Sequence, residues 1–209
     1  MPAPAGVRNL GADTPTDERD DVTRIIAGAL GGRRLATPSG SATRPTSERV
    51  REAMFSALET RLGGLDGVRV LDLYAGSGAL GLEAVSRGAV HATLVEADRR
   101  TANVIRRNAR ELGVDAQVDI VAEKVRSFLR TPPRAPYDLI VLDPPYDVPN
   151  DEVSGVLEVV TGPQWWGSDG VVVVERSTRD GAFVWPAGVE PLQDRRYGET
   201  TLWYGQPHD

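Results

Sequence analysis

The feature that most constrains the fold is a regular alternation of short apolar segments with segments of helical periodicity. Strands are predicted at 68–74, 92–96, 116–121, 137–143 and 170–176, and helices between them at 79–88, 98–112, 123–130 and 151–161. This alternation is typical of a parallel sheet with right-handed crossovers and helices on both faces. Residues 189–197 and 200–205 indicate an antiparallel hairpin that closes one edge. The predicted fold class is therefore α/β, with a seven-stranded, mostly parallel sheet.

Length and composition limit the kinds of protein to be considered. The 209 residues suffice for one domain with a small appendage. The chain has no cysteine, and His91 and His208 lie far apart, so we expect neither a disulfide framework nor a metal site. It has no apolar stretch of membrane-spanning length and no signal peptide. We therefore expect a cytoplasmic, monomeric protein without a membrane partner.

The chain before the first helix divides into two segments. Residues 1–21 have no apolar period and are predicted to form a disordered leader. Residues 22–45 indicate a small β-hairpin, with a two-residue Gly31-Gly32 loop between its strands. Since an isolated hairpin is marginal in water, it must either pack on the main domain or stay mobile. The main domain, 46–209, begins with a helix predicted at 46–62.

Charge is distributed unevenly along the chain. The net charge is −6, which taken alone argues against a nucleic-acid partner. However, residues 1–21 contain two arginines and five acids, a net of −3. Residues 22–61 contain seven arginines and three acids, a net of +4. A nucleic acid is therefore compatible with the segment that follows the acidic leader.

A glycine-rich turn follows the first predicted strand. Gly76, Gly78 and Gly81 satisfy the pattern G-x-G-x-x-G, and Glu96 ends the next strand 20 residues after Gly76. This combination matches a dinucleotide-binding fingerprint, so an NAD-dependent oxidoreductase is one alternative. Asp72, inside the strand before the turn, favours a cationic ligand over a pyrophosphate. S-adenosylmethionine carries a sulfonium and an ammonium group, and it is the cofactor we predict.

A second motif follows the fourth apolar strand. Residues 143–146, Asp-Pro-Pro-Tyr, come directly after the run 139–142. They place a carboxylate, a rigid turn and an aromatic ring at the carboxyl end of a strand, where open α/β sheets bind ligands. The two prolines remove two backbone donors and leave carbonyl groups free to accept hydrogen bonds. Such a set suits a planar amine, for example the exocyclic nitrogen of a nucleobase.

These motifs together resemble a known family. Residues 72–78, Glu96 and 143–146 are similar to those of class I S-adenosylmethionine-dependent methyltransferases that modify exocyclic amines. The bacterial 16S ribosomal RNA guanine-N2 methyltransferases are the subgroup that the chain resembles over 22–205, through the segments 24–28, 44–46, 49–52, Phe55, 87–89 and 197–198. The resemblance implies a Rossmann-like methyltransferase fold with an RNA-contacting N-terminal hairpin. It also implies 16S ribosomal RNA as the substrate, within the small subunit or an assembly intermediate.

The resemblance further implies roles for particular residues. Asp143 and the Pro144 carbonyl would accept hydrogen bonds from the target amine, and Tyr146 would stack on the base. The hairpin and first helix would contact RNA phosphates through Arg24, Arg33, Arg34, Arg44, Arg49 and Arg51. The methyl donor, and its product S-adenosylhomocysteine, would be held by Asp72, Tyr74, Ala75, Gly76, Ser77, Gly78, Glu96, Ala97, Glu123, Lys124, Val125 and Asp143. The family usually carries Asp or Asn near position 124 to meet the adenine amino group, and this chain has Lys124 there.

Three alternatives remain open at this point. An adenine-N6 nucleic-acid methyltransferase would share the four residues 143–146. An NAD-dependent oxidoreductase would share the glycine turn. A non-catalytic ribosome-assembly factor would bind the small subunit without turnover, although the intact Asp143 and Tyr146 argue against it.

Overall fold

The structure, a computed structural model, describes residues 23–38 and 48–208. Its seven strands form one sheet in the order β3-β2-β1-β4-β5-β7-β6. The strands are β1 Arg69–Leu73, β2 His91–Val95, β3 Val118–Val121, β4 Tyr137–Leu142, β5 Trp166–Ser177, β6 Val189–Tyr197 and β7 Thr200–Pro207. The helices are α1 Glu48–Leu62, α2 Ala79–Ser86, α3 Arg99–Leu112, α4 Val125–Phe128 and α5 Asn150–Val160.

The predicted fold class is confirmed. Strands β1 to β5 pair in parallel, and β7 and β6 add an antiparallel edge. The main difference is β5, which begins at Trp166 rather than near 170 because Trp166 pairs with Tyr137 ahead of an irregularity in the register. The predicted leader and the start of the first helix lie outside the described residues.

The sheet is buried on both faces, which explains its continuous apolar strands. Alternate residues of β4 and β5 point to opposite faces because side chains alternate along a strand. Leu139 and Val141 join a core cluster with α1, α2 and α3. Ile140 and Leu142 join a second cluster with α4 and α5. The sheet is therefore sandwiched between two helical layers.

The strand order changes direction at β1, because successive strands are added first on one side of β1 and then on the other. Strands β2 and β3 lie on one side of β1, whereas β4 and β5 lie on the other. Loops that leave the carboxyl ends of β1 and β4 consequently diverge and open a crevice between them. This is the position at which open α/β sheets bind their ligands.

The N-terminal segment Thr23–Pro38 forms a short hairpin with a longer loop than predicted. Arg24 and Arg34 form its one bridge, and the amide of Ile25 donates to the Arg33 carbonyl at 2.9 Å. The amide of Gly32 donates to the Ile25 carbonyl at 2.8 Å, so the loop spans residues 26–31. The prediction of a two-residue Gly31-Gly32 loop is therefore wrong, because Gly32 still belongs to the paired backbone.

The hairpin packs tightly on α2. Glu83 of α2 is fully buried and accepts hydrogen bonds from the amides of Ile26 at 2.7 Å and Ala27 at 3.0 Å. Arg87 also donates to this carboxylate, at 2.8 Å. A buried charge is stable only when it is paired and hydrogen-bonded, and these donors meet that requirement. Because Ile25 is also fully buried in the core, the hairpin packs on the main domain, which is the first of the two expected outcomes.

Gly28 is where the hairpin approaches α2 most closely. Its φ is +79°, and a Cβ at this position would lie 1.9 Å from the carbonyl oxygen of Ser86. The nearby Gly32 has a similar φ of +82°, but a Cβ there would meet nothing within 4 Å. Of these two hairpin residues, only Gly28 therefore requires glycine for both conformation and space.

We expect Gly28→Ala to destabilise the protein more than Gly32→Ala. Both substitutions place a Cβ on a residue with a left-handed backbone conformation, which costs about 1–2 kcal/mol. Gly28→Ala adds a steric clash with backbone, which typically costs about 1–3 kcal/mol more. The measurement is the free energy of unfolding in urea for the two variants and the parent. Equal losses would show that the hairpin does not depend on this close approach.

Candidate active site

Three loops meet side by side at the carboxyl edge of the parallel strands. Backbone hydrogen bonds continue the strand pairing into each loop. The Ala75 amide donates to the Val95 carbonyl at 3.0 Å, and the Asp143 amide donates to the Leu73 carbonyl at 3.4 Å. The Glu96 amide similarly donates to the carbonyl of Val121, the last residue of β3, at 3.0 Å. The sheet therefore brings the glycine turn, Glu96 and Asp143, which are far apart in sequence, to one edge.

The glycine turn is shaped by its own backbone and by Glu96. Gly76 and Gly78 have φ values of +55° and +81°, which other residues adopt rarely. A Cβ on Gly78 would lie 2.8 Å from Ile105, whereas one on Gly76 would meet nothing within 4 Å. The Gly76 amide donates to the Glu96 carboxylate at 2.9 Å. The turn is thus packed against α3 on one side and open on the other, where a ligand could approach its backbone.

Asp72 lies beneath the turn and is only 1% exposed. One carboxylate oxygen accepts from the Gly81 amide at 2.9 Å, and the other has no hydrogen-bond partner among the described residues. Burial, with a smaller contribution from the negative charges of Asp143 and Glu96, raises the pKa of Asp72 to about 7, and the hydrogen bond from the Gly81 amide opposes this rise. Three carboxylates therefore converge on one edge of the sheet, and their field favours a cationic ligand.

Tyr74 connects β1 to the glycine turn in an unusual conformation. Its φ of +65° makes it the one non-glycine residue with positive φ in the described part of the chain. Such a conformation costs about 1–3 kcal/mol and tends to occur at functional sites. Its hydroxyl is buried and lacks a partner from the described residues, and burial raises its pKa. Tyr74 therefore lies at the start of the glycine turn, and its contact with the methyl donor stays a prediction.

The loop after β4 presents a polar and aromatic surface. Pro144 is buried, and the Pro145 carbonyl accepts from the Val148 amide at 2.9 Å to close a turn. No donor from the described residues uses the Pro144 carbonyl, so it remains available to a ligand. Tyr146 is 52% exposed, and its hydroxyl lies 3.2 Å from the Thr200 hydroxyl. The loop thus offers an acceptor and an exposed ring next to Asp143.

Sequence reasoning missed two residues that support this loop from the C-terminal edge. Arg176 is buried and donates to the Val148 carbonyl at 2.9 Å, while the same nitrogen lies 3.0 Å from Asp180. Thr200 contacts Tyr146 and donates to Glu175 at 3.4 Å. The signal in the sequence was a charged pair, Glu175-Arg176, directly after the apolar run 171–174, and it could have indicated a buried polar contact.

The other residues predicted to bind the methyl donor lie at the same edge. Glu123 and Lys124 follow β3 and are exposed, Ala97 is exposed after β2, and Val125 is buried at the start of α4. Ser77 lies within the glycine turn and is half-buried. These residues lie in or next to the segments that follow β1, β2 and β3, and their contact with the methyl donor stays a prediction.

The predicted RNA-contacting arginines are divided by the structure. Arg24 forms an exposed ion pair with Glu48 at 2.8 Å, and Arg33, Arg34 and Arg49 are exposed. Arg44 lies outside the described residues. The prediction for Arg51 is wrong, because Arg51 is 1% exposed, donates to the Arg24 carbonyl and lies 3.7 Å from the buried Glu83. Its role is to join α1 to the hairpin.

The tip of the hairpin lies away from the three loops. The Ala29 amide donates to the Ser86 carbonyl at 2.7 Å, and Arg33 donates to the Glu111 carbonyl at 2.7 Å. Both carbonyls are at C-terminal ends of crossover helices, which point to the opposite edge of the sheet. At a rise of 1.5 Å per residue, the 12 steps from Arg99 to Glu111 span about 18 Å. Arg33 could therefore contact only nucleic acid that is remote from the base at Tyr146.

Two further kinds of site were tested on the described residues. Within 23–38 and 48–208, no three or more histidines and acids are grouped so that they could hold a metal ion. No helix in the same ranges combines the length and apolar character that a membrane span requires.

Comparison with known proteins identifies the family. The family model described as "Conserved hypothetical protein 95" matches residues 23–206. Ribosomal RNA small subunit methyltransferase D of Escherichia coli K12 is 34% identical over 164 residues, which are 78% of this chain and 79% of that protein.

Solved structures agree with this assignment. A putative methyltransferase from Escherichia coli superposes with a TM-score of 0.78 at 29% identity, over 89% of this chain and 98% of that one. An RNA methyltransferase from Salinibacter ruber, solved with S-adenosyl-L-homocysteine, shares the fold with a TM-score of 0.58 at 16% identity, over 79% and 95%. The chain therefore belongs to the Conserved hypothetical protein 95 family of ribosomal RNA small subunit methyltransferases.

Proposed function

We propose that this protein transfers a methyl group from S-adenosylmethionine to the exocyclic N2 amine of a guanine in 16S ribosomal RNA of the small subunit. The observation that carries the proposal is the arrangement of Asp143, the available Pro144 carbonyl and the exposed Tyr146 beside a glycine-lined, negatively charged crevice. The printed name of the Escherichia coli relative supports the ribosomal RNA of the small subunit as the substrate.

The crevice has features that fit S-adenosylmethionine. Asp72 has a buried carboxylate oxygen without a partner among the described residues, and such an atom suits a cationic group. Gly76 is open toward the crevice, so its backbone can approach a ligand closely. When bound, S-adenosylmethionine supplies an electrophilic methyl carbon on a sulfonium. Asp72, Glu96 and the glycine turn would hold it, with Glu123 and Lys124 near its adenine.

Asp143 and Pro144 would prepare the target amine. The N2 amine of guanine is a weak nucleophile, because its lone pair is delocalised into the ring. Hydrogen bonds from its two N–H groups to the Asp143 carboxylate and the Pro144 carbonyl would orient the lone pair toward the methyl carbon. They would also stabilise the positive charge that develops on nitrogen. Once alkylated, the nitrogen becomes acidic and releases one proton, which Asp143 can accept or pass to water.

Tyr146 would hold the base outside its stack. An enzyme that modifies a base within folded RNA must first extrude it, and extrusion costs a few kcal/mol of lost stacking. An exposed tyrosine next to the acceptors can replace about 1–3 kcal/mol of that stacking. The hydroxyl contact with Thr200 restricts the ring to one side of the loop.

An adenine-N6 methyltransferase is the second candidate, because the same loop would accept an adenine amine equally well. The convergence of three carboxylates disfavours the pyrophosphate of NAD, so an oxidoreductase is the weaker alternative. Product analysis separates guanine from adenine directly.

We expect the purified protein to form N2-methylguanosine in 16S ribosomal RNA that lacks this modification. The assay supplies S-adenosylmethionine with naked RNA or with small subunits, and mass spectrometry then identifies the modified nucleoside. Formation of N6-methyladenosine would overturn the guanine assignment. Absence of any methylation of either substrate would overturn the proposed function.

Asp143→Asn is the matched loss-of-function variant in that assay. We expect turnover to fall about 10²- to 10³-fold, since one charged acceptor at the developing positive charge is lost. Asp147→Asn, which changes an exposed acid in the same loop, should retain the parent rate. Equal rates for the two variants would remove Asp143 from the chemistry.

Substitution of Tyr146 should affect RNA recognition and leave donor binding intact. Tyr146→Leu removes the ring, and a loss of about 1–3 kcal/mol corresponds to a rise of about 5- to 150-fold in the KM for RNA. Tyr146→Phe keeps the ring and should remain within a few-fold of the parent. Steady-state kinetics and calorimetric binding of S-adenosylhomocysteine provide the two readouts. A comparable loss in both would contradict stacking.

Donor affinity should depend on pH through Asp72. In the free protein its pKa is about 7, and a bound cation would lower that pKa, so binding releases a proton. Affinity for S-adenosylmethionine should therefore fall about tenfold per pH unit below pH 7 and level off above it. Asp72→Asn, which can still accept from the Gly81 amide, should lose this dependence. Identical pH profiles for the two proteins would show that Asp72 does not face the donor.

A further inference from the structure

A buried asparagine on α3 lies between the N-terminal hairpin and the glycine turn. Asn108 is 1% exposed and was not among the residues that the sequence singled out. Its side-chain oxygen accepts from the Ala36 amide at 2.9 Å. Its side-chain nitrogen donates to the Ala36 carbonyl at 3.0 Å and to the Ser77 carbonyl at 3.2 Å. One side chain thus contacts two segments that are 41 residues apart, from Ala36 to Ser77 (77 − 36).

The contact with Ser77 fixes the orientation of one peptide group in the glycine turn. The peptide between Ser77 and Gly78 is planar, so its carbonyl and its amide turn together. The Gly78 amide donates to the Ala75 carbonyl at 2.7 Å, and the Ser77 carbonyl accepts from Asn108. The peptide plane is therefore held at both ends. Without Asn108, only the bond within the turn would oppose rotation of this plane, and glycine at position 78 makes such rotation easy.

We propose that Asn108 is a positioning residue for the methyl donor, which orients the Ser77–Gly78 peptide and links donor binding to the docked hairpin. The inference rests on the proposed function, because it concerns the predicted donor site. Asn108 does not touch the donor in this arrangement. It acts through the backbone of the turn that would bind the donor.

The same side chain makes the turn depend on the hairpin. Two of the three hydrogen bonds of Asn108 go to the backbone of Ala36, so the hairpin sets the rotamer of the amide that reaches Ser77. Binding sites that share an ordered element are thermodynamically coupled, and the coupling acts in both directions. A bound donor should therefore reduce opening of the hairpin at Ala36, and a docked hairpin should increase donor affinity.

Ser86 provides a matched control for the loss of hairpin docking. It is buried like Asn108, and its hydroxyl donates to the Ala27 carbonyl and accepts from the Leu30 amide at 3.0 Å. It fixes the other end of the same hairpin, but none of its hydrogen bonds to described residues reaches the glycine turn. Ser86→Ala and Asn108→Ala should both lower the melting temperature. Only Asn108→Ala should also disturb the donor site.

The experiment measures S-adenosylhomocysteine binding by calorimetry, well below the melting temperatures of all variants. We expect Asn108→Ala to weaken binding at least tenfold, and Ser86→Ala to remain within about twofold of the parent. If Asn108→Ala binds as the parent does, the inference is overturned and the proposed function is unaffected. If the parent protein itself binds no S-adenosylhomocysteine, it is the proposed function that fails.

A second measurement covers the case in which Asn108→Ala does not fold. Amide hydrogen exchange by NMR is followed in the parent protein with and without S-adenosylhomocysteine. The Ala36 amide, bonded to Asn108, should exchange at least several-fold more slowly when the ligand is bound. The Leu30 amide, bonded to Ser86, should change little. Unchanged exchange at Ala36 in ligand-saturated protein would overturn the proposed link.

Discussion

The candidate site depends on the parallel pairing of β1 with neighbours on both of its sides. Because β2 and β4 flank β1 in register, the loops that follow all three strands begin at one level of the sheet. The carboxylates of Asp72, Glu96 and Asp143 then lie near enough to interact. Burial is the main cause of the raised pKa of Asp72, and repulsion from the other two carboxylates adds to it. A cation that lowers this repulsion gains binding energy from it. The sheet topology thus explains both the place of the crevice and its preference for positive charge.

The elements with strong local signals could be predicted from the sequence. Runs such as 139–142 have to be strands buried on two faces, and the glycines at 76 and 78 do adopt the backbone angles that the motif requires. Arg51 could not be placed in this way. It lies on a helix of mixed polarity, and its burial depends on Glu83, which is 32 residues further along the chain. Arg176 and Thr200, which support the loop after β4, were missed for the same reason, since their partners lie on other elements.

Residues 24–28, one of the segments that resemble the family, help to hold the fold together. It was first interpreted as part of a basic, RNA-contacting hairpin. In the structure, the amides of Ile26 and Ala27 bind the buried Glu83, and Gly28 permits contact with the end of α2. These interactions would explain why the sequence pattern is needed even without a nucleic acid. Contacts with RNA, by contrast, would involve exposed side chains of the hairpin, such as Arg24 and Arg34.

The long sequence separation of the Ala36–Asn108 contact has a consequence for biosynthesis. The two residues are 72 positions apart, and the hairpin also needs Glu83 and Glu111 as partners. During translation, residues 23–38 are made before these partners. Contacts of such high contact order form late, because the loop between them must close first. The N-terminal segment could therefore dock fully only after α3 has been made. Through the link proposed for Asn108, firm binding of the methyl donor would have to wait for the same step.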